Sequence, residues 1–169
     1  MVEAGRTGAF SRVYWMKRLI YRGDRPGPVA RALNAFWARQ YGAGRLSRAR
    51  DVTLEVRGRT SGRMLRFPVV LADLDGRWYL VSMLGENANW VRNVRAGDGS
   101  AVIRRGADHD VTLTEVPVGE RAPILRRYLD VAPGARPHIA ADRGAPAADF
   151  ERVAPDHPVF RVDGLDQTG

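Results

Sequence analysis

The sequence predicts an α+β fold in which mainly antiparallel strands close into a barrel. Three observations predict it. Asp51–Val56 alternates apolar and polar residues, the period of a half-buried strand, and Phe67–Ala72 is an apolar run long enough for a second. Asp75-Gly76, between Val69–Leu74 and Arg77–Leu84, is a two-residue hairpin signal. Beyond these, single helical patterns interrupt several short strand patterns, as in barrels of the α+β type.

The elements follow in order. Phe10, Val13, Tyr14, Met16, Leu19, Ile20 and Tyr21 alternate with Arg12, Lys17, Arg18 and Arg22, which predicts a basic amphipathic helix over 10–22. Gly23–Pro28 breaks it, a second helix covers Val29 to Gln40, and Gly42 and Gly44 end that. Residues 1–45 thus form a helical N-terminal part and 46–169 the barrel. The helices pack on the barrel or on a second subunit; alternatively, the basic face of 10–22 lies on an anionic membrane surface. After the hairpin, Glu86–Arg95 predicts a short helix closed by Gly97. Ser100–Arg105 and His109–Val116 form another strand pair turned at Gly106-Ala107-Asp108. Arg121–Leu129 is a helix, a proline-, glycine- and alanine-rich stretch follows, and a last strand covers Val159–Val162.

Composition narrows the function classes. A chain of 169 residues, 44% hydrophobic and 27% charged, has the make-up of one globular domain with an extension. No apolar run reaches the roughly 18 residues of a membrane span, and no signal sequence is evident. Cysteine is absent, which fits the cytoplasm and removes thiol nucleophiles and thiolate metal sites. The net charge is +8, carried almost wholly by arginine, since Lys17 is the only lysine. Such a balance suits an acidic cofactor, an anionic lipid surface or nucleic acid. Basic motifs interleaved with aromatics are missing, which argues against nucleic acid.

Two segments carry candidate chemistry. Arg57-Gly58-Arg59-Thr60-Ser61-Gly62-Arg63 joins the first two strands. Glycine lets successive N–H groups converge on an anion, and arginine adds a planar fork for phosphate or carboxylate. The same composition also makes an ordinary polar hairpin loop. The second segment is Ser82–Asn93, where a strand ends, Gly85 permits close backbone approach, and Glu86 or Asn87 can cap a helix. Trp90 and Asn93 share one helical face. They suit a flat heteroaromatic ring, or a core tryptophan beside an asparagine that tethers a loop. His109, His138 and His157 are not at metal-ligand spacing, Ser82 lacks a nucleophile elbow, and no carboxylates pair. An enzyme so supplied needs an organic cofactor.

Taken together, Leu54-x-x-x-Gly58-Arg59-Thr60-Ser61-Gly62-Arg63, Arg66-x-Pro68, the Gly76 hairpin and Trp90-x-x-Asn93-Val94-Arg95-Ala96 resemble the deazaflavin-dependent nitroreductase family. The resemblance runs from about Leu46 to Arg105, and more loosely to the last strand. It implies the split β-barrel, FMN-binding-like fold and the 8-hydroxy-5-deazaflavin coenzyme, F420. It assigns Arg59, Thr60, Ser61 and Gly62, helped by Arg66, to the coenzyme's phosphate and the start of its polyglutamate tail. Pro68 and Val69 line the deazaflavin; Ser82, Met83, Leu84 and Gly85 come against it, as do Trp90 and Asn93.

This chain departs from the family in having Thr60 where many relatives have lysine. It also has no tyrosine over Arg136–Phe150, where Arg136, His138 and Phe150 are candidates for a substrate wall. The function implied is hydride transfer from the reduced coenzyme to a small electron-poor acceptor, a quinone or nitro compound. No catalytic residue is assigned, and the proton source is open between Ser82, His138 and solvent. The alternatives are an FMN, haem or other tetrapyrrole binder of the same fold, and a basic membrane- or nucleic-acid-binding protein without catalysis. A homodimer is expected, since split barrels of this type often pair.

Overall fold

The computed structural model describes residues 50–166. The helices expected over 10–22 and 29–40, and the boundary at residue 45, lie outside the described residues. Six strands close a barrel in the order β1 (Asp51–Arg57), β2 (Met64–Leu74), β3 (Arg77–Val81), β6 (Val159–Asp163), β5 (Ala107–Glu115), β4 (Ser100–Arg105), and back to β1. Every pairing is antiparallel. The α-helices among the described residues are α1 (Asn89–Ala96), α2 (Arg121–Val131) and α3 (Ala147–Val153).

Alternation sets the barrel's inside. On β1, Val52, Leu54 and Val56 are buried in the core, joined by Leu71, Leu80, Ile103, Leu113 and Phe160. The β2–β3 hairpin turns where predicted, with φ 49° at Asp75 and 70° at Gly76, the two positive values that match the twist of paired strands. At the C-terminal end, Trp78 Nε1 donates to the Asp166 carbonyl at 3.2 Å, and the Arg105 guanidinium lies 4.9 Å from the indole centroid. The last described residues are thereby fastened to the barrel. The α2 helix packs on β2.

Several elements differ from expectation, β2 and β5 beginning earlier, at Met64 and Ala107. The β3 strand ends at Val81 rather than Leu84, because Ser82 Oγ donates to the Gly85 carbonyl at 2.7 Å and Gly85 N–H donates to the Ser82 carbonyl at 3.2 Å. That turn needs φ 78° at Gly85, a value glycine adopts without strain. The α1 helix starts at Asn89, with Ala88 as its N-cap and no side-chain cap, so neither Glu86 nor Asn87 caps it. The α3 helix arises in the stretch read as irregular; Pro146 precedes it, and alanine opens it with high helix propensity.

The β2 strand positions the site. Its residues Leu71–Leu74 pair with β3, whereas Met64–Val70 pair only with β1 among the described residues. Half-buried Phe67 and Val69 from this half, and Leu84 from the turn after β3, pack on a core that includes Trp90. Before Leu71, β2 has no paired strand on its β3 side among the described residues, which leaves a split in the hydrogen-bond ladder beside the turn that follows β3.

Candidate functional site

The loop between β1 and β2 is closed by Gly58 N–H donating to the Arg63 carbonyl and Gly62 N–H donating to the Gly58 carbonyl, both at 2.8 Å. Gly62 has φ 66°. Gly58 is packed so closely that a Cβ there would lie 2.8 Å from Ser61 Oγ and 2.9 Å from Leu65 Cδ1. Arg57 Nη1 donates to the Gly62 carbonyl at 3.0 Å, and Arg63 N–H donates to Ser61 Oγ at 3.3 Å. The backbone N–H groups of Thr60 and Ser61 make no hydrogen bond among the described residues. The loop therefore offers two free amides beside Arg57, Arg59 and Arg63, all exposed.

Its orientation is set by α1. Asn93 is 4% exposed, and its Oδ1 accepts from Arg59 N at 3.2 Å and from Arg59 Nη1 at 2.8 Å. Its Nδ2 is buried and has no hydrogen-bond partner among the described residues. Burial of an amide donor without an acceptor costs free energy, and the common explanation is a ligand or water that completes it.

A cavity of about 950 Å³ opens beside this pair, lined by Arg57, Gly58, Arg59, Gly62, Met64 and Asn93, and it continues across β4 and β5. Asp98 stands on its rim, and its carboxyl is held below the usual range mainly by accepting the Ser100 N–H at 2.9 Å.

Of the expected site residues, Arg59, Gly62 and Asn93 line this cavity together, and Thr60 and Ser61 sit exposed on the same loop. Arg66 does not join them. It faces Glu55 across the β1–β2 pair, with Nε 2.6 Å from the carboxylate, and Arg104 Nε approaches the same oxygen at 2.5 Å. A buried carboxylate thus takes one donor of the Arg66 side chain, which is about half exposed. By strand alternation, Pro68 faces away from Phe67 and Val69.

Trp90 is buried, with Phe160 edge-on at 5.4 Å between centroids, and is no part of the cavity lining. The core tryptophan with a tethering asparagine is the arrangement observed. Ser82 and Met83 are buried, and the Ser82 hydroxyl is committed to its own turn. Phe150 is fully buried, with the Arg126 guanidinium 5.2 Å from its ring centroid, so it belongs to the helical core and forms no substrate wall. Arg136 Nε donates to the Leu129 carbonyl at 3.2 Å, and His138 is half-buried. The sequence reading missed Met64 and Phe67. Met64 directly follows Arg63 of the quoted motif and Phe67 is the unspecified residue between Arg66 and Pro68, so their strand position was the available signal.

The donor set suits a ligand with an anionic tether and a flat head: amides and guanidinium groups on a loop, a buried orphan amide, and half-buried apolar residues at a split in the barrel. A model of the F420H(2)-dependent quinone reductase family matches residues 30–146. The chain belongs to that family. This F420H(2)-dependent quinone reductase family member is accordingly an oxidoreductase that uses F420H2 as hydride donor and a quinone-type small molecule as acceptor.

No curated protein matches the sequence. Among solved structures, an F420-H2 dependent reductase (FDR-A) is 20% identical, covering 66% of this chain and 92% of that one at TM-score 0.47. A protein of unknown function from Agrobacterium tumefaciens str. C58, Atu2129, is 14% identical, covering 75% of this chain and 56% of that one at TM-score 0.50. The second likeness supports the fold and nothing further. Among the described residues, no helix is long and apolar enough to cross a membrane, and no group of three or more His, Asp and Glu could hold a metal ion.

Proposed function

We propose that the Arg57–Arg63 loop holds the phosphate and proximal tail of F420, and that the split beside β2 takes its ring. The observation that carries this reading is the Arg59–Asn93 pair with its buried, unpartnered Nδ2. Arg59 keeps further guanidinium N–H groups for an oxyanion after giving Nη1 to Asn93. The free amides of Thr60 and Ser61 add donors without added side-chain entropy loss, because the loop is already closed by its own hydrogen bonds.

When bound, F420H2 supplies the hydride from C5 of its ring. The chain's part is to orient and shield. Val69, Leu84 and Phe67 would give the ring apolar contact, and the Ser82–Gly85 turn would border it. Trp90 and Phe160, edge-on to one another, belong to the core cluster on which these residues pack. The Ser82 hydroxyl already donates to Gly85, so the proton that accompanies reduction comes from solvent or from another group at the mouth.

Quinones come first as acceptors, with nitro compounds as a further class. The reading extends to a homodimer and to peripheral membrane contact through the basic residues of 10–22, which vesicle flotation at low and high salt checks. The central test is anaerobic oxidation of F420H2 by a soluble quinone, followed at the coenzyme's absorbance band. Turnover that depends on protein and fails with reduced FMN supports the assignment; no turnover with F420H2 removes it.

A further inference from the structure

The Ser82–Gly85 turn carries the ring side of the proposed site, so its position has to be fixed from behind. Two buried residues with no other evident role do this. Arg121 is 4% exposed and His157 is 7% exposed. Arg121 donates Nε to the Val116 carbonyl at 2.9 Å, Nη1 to the carbonyls of Ala154 at 3.2 Å and His157 at 3.5 Å, and Nη2 to Glu115 at 3.0 Å. A buried guanidinium persists only when its donors are met in this way.

His157 Nδ1 lies 3.0 Å from the Ser82 carbonyl. A carbonyl only accepts, so Nδ1 carries the proton. The same carbonyl receives Gly85 N–H, which engages both its lone pairs. Glu115 also receives Arg95 Nε at 2.8 Å and Nη2 at 2.5 Å, and Arg95 pairs with Glu86. One frame therefore holds the turn at Ser82, the following residues at Glu86, and α1 at Arg95.

We propose that Arg121 and His157 are positioning residues for the hydride step. They set the Ser82–Gly85 turn, and through it the ring, without touching either reactant. This rests on the functional reading above, which places the ring at that turn.

His157→Leu removes the donor, and His157→Asn offers an amide N–H near the place of Nδ1. The probes are F420 and the deazaflavin head lacking phosphate and tail. In His157→Leu, the dissociation constants of both probes rise by the same factor, about tenfold for one lost hydrogen bond, and kcat falls. His157→Asn restores both. A folded His157→Leu with wild-type binding and kcat overturns the proposal, as does a His157→Asn no better than the leucine variant.

If His157→Leu does not fold, Glu115→Gln serves, since it keeps shape but weakens the hold on Arg121 and Arg95. Lower kcat with unchanged KM for the quinone supports the proposal, and unchanged kcat overturns it. Wild type that fails to bind F420 overturns the reading beneath and the proposal with it. Wild type that binds, with indifferent variants, overturns the proposal alone.

Discussion

Asn93 holds Arg59 at two points, taking its backbone N–H at 3.2 Å and its guanidinium at 2.8 Å on a single buried oxygen. A residue in α1 thus fixes a loop 34 positions earlier in the chain. Asn93→Leu keeps approximate volume and removes both acceptor and orphan donor. Losing the bond to the Arg59 amide costs about 1 kcal/mol, because the exposed loop lets water take that N–H, and coenzyme affinity falls about tenfold. Thermal melts and fluorescence titration measure the two effects. A lower melting temperature with unchanged affinity would confine Asn93 to packing.

Gly99 tests the backbone geometry beside the cavity. Its φ is 82°, and a Cβ there would stand 2.6 Å from the Leu113 carbonyl oxygen, which is backbone and cannot swing away. Gly99→Ala destabilises by about 2 kcal/mol or more, combining positive-φ strain with that clash. Gly106 has φ 74° with nothing within 4 Å, so Gly106→Ala costs only about 1 kcal/mol. Denaturant midpoints at constant slope compare the two. Equal shifts would contradict the packing argument.

Trp90 acts from within the core. Trp90→Ala costs about 3–5 kcal/mol, the usual range for emptying a buried aromatic site. Trp90→Phe keeps an aromatic ring against Phe160 and leaves coenzyme affinity nearly unchanged in titration. A large affinity loss in a well-folded Trp90→Phe would place the indole against the ring instead.

The Glu86 carboxyl sits below its ordinary value of 4.5, chiefly because Arg95 donates to it. Asp163 is lowered likewise by Arg161. A folded value depressed below the unfolded one gives stability that is complete above the unfolded value and lost as pH falls through the folded one. Melting temperature therefore holds steady from pH 7 to 5 and declines below about 4.5. Both carboxyls are nearly half exposed, so each contribution is modest and weakens with salt. Glu86→Gln removes part of the acid-side decline; an unchanged profile would contradict the pairing.

Much of this was legible in the sequence, and the reason is local chemistry. Asp75-Gly76 dictates its hairpin because few other residues tolerate two positive φ values. The alternation of Val52, Leu54 and Val56 dictates which face of β1 turns inward. The Gly58–Gly62 loop was recognisable by composition, and so was its charge. Partnerships across the sheet were not: nothing near Arg66 in the chain says that Glu55 stands opposite it in register. Nor does local pattern reveal how the Ser82–Gly85 turn is anchored, since this depends on His157 and Pro158 arriving from the far end of the chain. The α3 helix was hidden by its own composition, because alanine among prolines and glycines has no apolar periodicity to follow.

The most direct measurement is an equilibrium titration of wild type and Arg59→Ala with whole F420 and with the tail-less deazaflavin head. Charge-assisted hydrogen bonds at the loop predict a loss of roughly ten- to a hundredfold for the whole coenzyme in the variant, with affinity for the head unchanged. Equal loss for both ligands, or none for either, would contradict a loop that grips the tail while the barrel holds the ring.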